Sequence, residues 1–290
     1  MTSLMPLETL YEVKSDQDRA PDLPFPPELA HLYGRLSFPA HPDHPYVIGN
    51  LVTTLDGVVS LNVPGHAGGG DISGFNQHDH MVMGVLRAVS DAIIVGAGTL
   101  RDAPYHRWTA EYIYPALADA YITLRSTLKK SEPPLNVIVT ARGEIDLSRP
   151  VFRSGEVPVL IVTTKQGERR IRGEQPLPPA VQIATVPQRE QTVSARAIFK
   201  AVQRVRPSEI ILVEGGPQLI GDFFAEHCLD EQFLTLAPQI AGRDNTTQRP
   251  GLVSGKLFAP DHPLWGTLIS VKRADNHLFL RYAFSGNKES

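Results

Sequence analysis

Four short stretches of this 290-residue chain place glycines, hydroxyls and charges directly after apolar runs. In EIILVEGGPQLIGDFF, residues 209–224, four aliphatic residues lead into Glu214, Gly215, Gly216 and Pro217, and the apolar residues then recur at helical spacing. Gly-Gly followed by Pro at a helix start shapes a backbone that accepts an anion, because the first-turn N–H groups and the positive dipole end face outward. DAIIVGAGTLRDAP ends its apolar run in Gly96, Ala97, Gly98 and Thr99. Here glycine permits close approach of a ligand to the main chain, and the threonine can cap a helix or bond a phosphate. This is not the Rossmann fingerprint, which needs a third glycine and an acidic residue about twenty positions on. VPVLIVTTKQGERR finishes in Thr163, Thr164 and Lys165, where a site for NAD would carry a carboxylate for the ribose hydroxyls. Hydroxyls with a cation suit a 2′-phosphate, and so NADPH. LVTTLDGVVSL stops at Thr53 and Thr54 and turns at Asp56-Gly57, which taken alone is ordinary turn chemistry.

These stretches need a scaffold that gathers their ends. Strands are expected at Tyr46–Val52, Asp91–Gly96, Leu135–Thr140, Val157–Thr163, Val181–Val186, Glu209–Glu214 and Gln232–Ala237. Helices are expected between them at Phe75–Val89, Ala110–Thr127, Gln166–Arg172, Val193–Val205 and Pro217–Cys228. Apolar strands alternating with amphipathic helices imply an α/β fold with a mostly parallel central sheet flanked by helices. In such sheets ligands collect at the carboxyl ends of the strands, where the four stretches lie. The tail differs: GTLISVKR and HLFLRYAF read as a C-terminal antiparallel hairpin. Residues 1–45, rich in Pro and charge with one short helical possibility at Glu28–Tyr33, read as an arm packed on a single domain running from 46 to 290.

Composition narrows the chemistry. Lys and Arg number 28 against 31 Asp and Glu, a net charge of −3, and no run of five basic residues occurs. That argues against a nucleic-acid or membrane-surface partner. The single cysteine, Cys228, excludes a disulfide framework and a Cys-rich zinc site, and reads as a small core filler. No apolar run approaches the ~20 residues that span a bilayer, and the N-terminus lacks the pattern of a secretory signal, so a cytoplasmic protein is expected. The ten histidines are scattered, and neither HPDHP nor HDH is followed by carboxylates at a metal spacing, so no metal is expected. His-x-Glu with Pro-Cys-x-x-Cys, Gly-x-Ser-x-Gly and the Walker A loop are all missing, which removes zinc deaminase, serine hydrolase and P-loop chemistry.

Taken together, TTLDG, VLRAVSDAIIVGAGTLRDAP, IVTT and LVEGGPQLIGDFF resemble, in order, the motifs of the reductase domain of bacterial riboflavin biosynthesis, related in fold to dihydrofolate reductase. The resemblance implies a dihydrofolate reductase-like fold, NADPH, and hydride transfer that reduces the ribose of 5-amino-6-(5-phosphoribosylamino)uracil or a related ribosylaminopyrimidine phosphate. By position, it implies that Thr54, Gly96, Gly98 and Thr99 meet the cofactor. Glu214, Gly215 and Gly216 would lie against its diphosphate, with the Gly215–Gly216 peptide bond cis and Glu214 bracing the turn through backbone hydrogen bonds. Arg87 and Asp102 would face substrate, with Arg87, Arg101 and Arg107 as cations for its phosphate. Asp102, with Asp56 behind it, would stand near the reacting carbon. A homodimer is expected as well, the late hairpin offering an open apolar edge. Two departures touch the substrate side: Val58 replaces the Lys or Arg that often follows Asp-Gly, and TLRDAP is one residue shorter than the common form. Two alternatives stay open: a reductase of a dihydrofolate-like pterin, which would need a buried carboxylate against the ring, and a nucleotide-binding protein without catalysis.

Overall fold

Uninterrupted apolar runs form strands covered on both faces: Leu135–Thr140, Val159–Thr163 and Ile210–Val213 are buried at every position. The computed structural model describes residues 4–13, 21–39, 41, 44–174, 176–189, 192–244 and 246–284. Its first elements are β1 (Glu8–Glu12), α1 (Pro27–Tyr33), β2 (Tyr46–Thr53), α2 (Gly69–Ser73), α3 (Gln77–Val89), β3 (Ala92–Gly96) and α4 (Ala97–Asp102). Then come α5 (Ala110–Ile113), a 3₁₀ turn at Pro115–Leu117, α6 (Ala118–Thr127), β4 (Leu135–Thr140), α7 (Pro150–Arg153), β5 (Val159–Thr163) and α8 (Lys165–Glu174). The last are β6 (Val181–Thr185), β7 (Gln188–Arg189), β8 (Thr192–Val193), α9 (Ala195–Val205), β9 (Ile210–Val213), α10 (Pro217–Ala225), β10 (Glu231–Leu236), β11 (Thr267–Ala274) and β12 (His277–Ala283).

Ten strands form one sheet in the order β1-β11-β12-β10-β2-β9-β3-β4-β5-β6, parallel from β10 to β6 and antiparallel from β10 back through β12 and β11 to β1. Side-chain alternation divides the core. Ile93, Ile138, Ile161 and Leu212 face α3, α6 and α7, whereas Ile94, Val137, Leu160 and Ile211 face α9 and α10. Asn76 caps α3 by accepting from the backbone N–H groups of His78 and Asp79, and Ser194 caps α9 from Ala197.

Three expectations need correction. The single helix at 110–127 is two, because Pro115 lacks the N–H that would continue α5 and starts a 3₁₀ turn instead. The arm contributes a strand as well as a helix, and its Leu7, Leu29, Leu32, Leu36 and Phe38 lie in the same buried cluster as Met81 and Val85 of α3. That strand, β1, pairs with β11 from Glu8↔Arg273 to Glu12↔Ser270, so the hairpin has no open edge there. The arm is fastened from beneath too. Arg281 donates to Glu231 at 2.5 Å and to the Ser37 carbonyl at 2.6 Å, and Tyr46 donates to the same glutamate at 2.8 Å. Cys228 is buried, and burial pushes its thiol up to about 11. Among the described residues no helix is long and apolar enough to cross a membrane.

Candidate active site

β2 and β9 are neighbours whose chains leave in opposite directions. After β2 the chain crosses to α3 on one face of the sheet; after β9 it crosses to α10 on the other. Such a switch opens a crevice at the carboxyl ends, where Thr53 and Glu214 lie.

On the α10 side of that crevice is a cleft of about 330 Å³. One wall is the turn from β3 into α4, with Gly96, Gly98, Thr99 and Arg101; a second is Thr140, Ala141 and Arg142 after β4; the third is Gly216 with the start of α10. The Gly215–Gly216 peptide bond is cis, and Gly215 has φ +126. A Cβ on Gly215 would stand 3.0 Å from Thr99 Oγ1. Backbone bonds stitch the two turns together: Glu214 N–H donates to the Ile94 carbonyl at 3.0 Å and Gly96 N–H to the Gly215 carbonyl at 3.2 Å. Side-chain-free backbone beside the first turn of α10 fits a diphosphate, and the guanidiniums of Arg101 and Arg142 at the rim fit a further phosphate. These residues therefore suit a dinucleotide cofactor.

Gly96, Gly98, Thr99 and Gly216 thus lie together in the cleft, with Gly215 against Thr99. Arg101, expected on the substrate side, lines the same cleft. Several expected residues are elsewhere. Thr163 and Thr164 are buried; the Thr164 hydroxyl donates to the Ala141 carbonyl and accepts from Gly167 N–H, capping α8. Lys165 begins α8, exposed and outside the cleft lining. Arg142, Gln218 and Asp222, which the sequence reading passed over, line the cleft instead. The available signal for Arg142 was its place in NVIVTARGE, just past a buried strand.

Thr54 is fully buried and donates to Asp56 at 2.5 Å while accepting from Val58 N–H at 2.9 Å. Asp56 also accepts from the backbone of Ala241 and Gly242 at 3.1 and 2.8 Å. The Thr54 hydroxyl and these N–H groups hold its carboxyl down at about 2, so Asp56 clamps two loops and is no proton donor near neutrality. Asp102 closes α4 at the surface; burial raises its carboxyl, and Arg101 and Arg149 oppose that.

Arg87 does not face the crevice. Its guanidinium donates to Glu214 through Nε, at 2.9 and 3.1 Å, and through Nη2 at 2.7 Å, with the two side chains 1% and 3% exposed. The partner of the Glu214 side chain is thus another side chain rather than the expected backbone. Arg107 lies at a second cleft, of about 660 Å³, beside Pro134 and Val157 at the amino ends of β4 and β5. There it pairs with Glu156 at 2.9 Å over the Tyr112 ring, far from the carboxyl ends where substrate was expected. Near Arg87, His106 packs against Trp108 and Tyr112 with its Nε2 buried and unpartnered. Burial, then the charge of Arg87, then His80 and Arg107 push its imidazole down to about 2; burial likewise lowers His80. Asp79, at the start of α3, is buried, and burial raises its carboxyl against the hydroxyls of Thr235 and Ser73. Among the described residues no group of three His, Cys, Asp or Glu side chains could hold a metal ion.

A sequence model of the RibD C-terminal domain matches residues 45–264. The riboflavin biosynthesis protein RibD of Aquifex aeolicus is 23% identical over 201 residues, 69% of this chain; the chain spans only 48% of that protein. A 2,5-diamino-6-ribosylamino-4(3H)-pyrimidinone 5′-phosphate reductase of Archaeoglobus fulgidus is 28% identical over 206 residues, covering 70% of this chain and 85% of that one. The solved structure of a pyrimidine reductase-like protein from Corynebacterium diphtheriae superposes with a TM-score of 0.64 at 22% identity, covering 82% and 91% of the two chains. That likeness establishes the dihydrofolate reductase-like fold.

Proposed function

The chain belongs to the RibD C-terminal domain family, and from that premise we propose that it is an NADPH-dependent reductase of a ribosylaminopyrimidine phosphate. The observation that carries this reading is the meeting of two glycine turns at the carboxyl ends of β3 and β9. There Gly96, Gly98 and Gly216 leave main chain bare at the start of α10, and Arg101 and Arg142 supply cations. When bound, NADPH supplies the hydride. The chain's own residues bind and orient: the α10 first turn receives the diphosphate, and the two arginines read the 2′-phosphate in place of Thr163, Thr164 and Lys165. Asp102, at the end of α4 and outside the cleft lining, supplies the proton in this reading, as the family resemblance implies.

The test is NADPH oxidation with 5-amino-6-(5-phosphoribosylamino)uracil, with the diamino-pyrimidinone ribosyl phosphate, and with dihydrofolate. Turnover of a ribosylaminopyrimidine phosphate and none of dihydrofolate is expected. One observation favours a second reading: a pterin calls for a buried carboxylate, and Asp79 is one. Turnover of dihydrofolate alone would select that reading, and tight NADPH binding with no turnover of any of the three would select a nucleotide-binding protein without catalysis.

A further inference from the structure

Arg87 on α3 and Glu214 after β9 are 127 residues apart in sequence, yet three donor–acceptor contacts join them in a dry interior. Stability does not explain such a pair, because well-packed apolar replacements of a buried ion pair are often neutral or better. Its location offers a different reason. Glu214 directly precedes Gly215 and Gly216, which have no side chains by which the surroundings could grip them, and ordering glycine is entropically costly. The turn they form faces the cleft, and its fixed points are the bonds of Glu214 N–H and the Gly215 carbonyl to β3. Arg87 adds a third point by holding the Glu214 side chain with both arms of its fork. Its remaining nitrogen, Nη1, donates to the Thr109 carbonyl at 3.1 Å, so the same guanidinium also grips the residue that caps α5.

We propose that Arg87 is a positioning residue, acting through Glu214 to hold the Gly215–Gly216 turn in the shape that receives the cofactor's diphosphate. Two planar contacts to one carboxylate are needed to set its orientation, so a lysine, which offers a point charge, cannot replace the fork. The cofactor half of the proposal rests on the NADPH reading above; the turn-holding half does not.

The experiment uses the double variant Arg87→Met/Glu214→Met, which leaves no unpaired charge behind, together with Arg87→Lys. Hydrogen exchange of the free protein reads the Gly96 amide, whose protecting bond ends on Gly215, against the amides of β4 as internal control. In the double variant Gly96 should exchange about tenfold faster or more while β4 stays protected, and NADPH should bind about tenfold more weakly or worse. Wild-type exchange at Gly96 in the double variant would overturn the proposal. If the double variant does not fold, Arg87→Lys carries the same readout with the same two outcomes. A loosened Gly96 in a protein whose wild type never bound NADPH would defeat the cofactor reading and leave the positioning role standing.

Discussion

Thr164 commits its hydroxyl to Ala141 and Gly167 inside the fold, so in the NADPH reading proposed above Arg101 and Arg142 would select the 2′-phosphate. Arg142 has an 81% exposed side chain and a distant partner in Glu144 at 3.9 Å, which leaves its guanidinium free to meet an anion. A charge-assisted bond typically contributes ~1.5–3 kcal/mol, and exposure reduces this, so Arg142→Met should narrow the preference for NADPH over NADH by about tenfold at low salt. Equal cofactor ratios before and after the substitution, in a binding titration, would remove Arg142 from this role. Asp102→Asn keeps the shape and removes the proton. It should lower kcat at least about a hundredfold with the true substrate and leave NADPH affinity unchanged, whereas an unaltered kcat dismisses Asp102. His106 gives a pH signature. Its imidazole binds a proton in the unfolded chain below its ordinary value near 6.5 but not in the folded protein until about pH 2. The folded state therefore loses stability as pH falls from 6.5, by about 1 kcal/mol per unit from this group. His106→Leu should flatten that slope between pH 6.5 and 4.5 in denaturant titrations; an identical slope in the variant would show the imidazole to be protonated in the fold.

At the level of elements, the strands were legible because their burial is continuous: Leu135–Thr140 reads as apolar from sequence and is covered on both faces in space. The cis Gly215–Gly216 bond was expected from the resemblance and is present. What sequence could not convey was which polar residues face inward. Arg87 and Glu214 are each ambiguous alone, since a charge beside a motif can face a ligand or a partner. Only the crossing of α3 over β9 brings them within 2.7 Å. The strand β1 was equally hidden, because Glu8–Glu12 is exposed at every position and has no apolar face to announce it. The glycine turn itself yields a test. At φ +126, and with 3.0 Å to Thr99 Oγ1, an alanine at position 215 is both strained and crowded. Gly215→Ala should raise the NADPH dissociation constant about tenfold or more while lowering the melting temperature by only about 2–4 °C per kcal/mol of strain. Unchanged affinity in a folded variant would separate this turn from the cofactor.

For the whole molecule, the edges of the ten-stranded sheet are β1 and β6, and the hairpin is at neither. Leu10 and Tyr11 on β1 are about half exposed, and Met5 just before it is 70% exposed. An edge strand with unpaired N–H and C=O groups, carrying exposed Leu10 and Tyr11, invites a second copy. We expect light scattering to return the mass of two chains; a one-chain mass at micromolar concentration would contradict the pairing.

The seating of β1 on β11 also sets a timetable. β1 leaves the ribosome well before the partner it hydrogen-bonds, β11, which begins at Thr267. At ~5–20 residues per second, the roughly 250 residues between them take on the order of 10–50 seconds to synthesise. For that interval the nascent chain holds an unpaired strand and the uncovered leucines of its arm, while β2 to β6 are already available to fold. Completion of the sheet is therefore a late event in the life of each newly made chain.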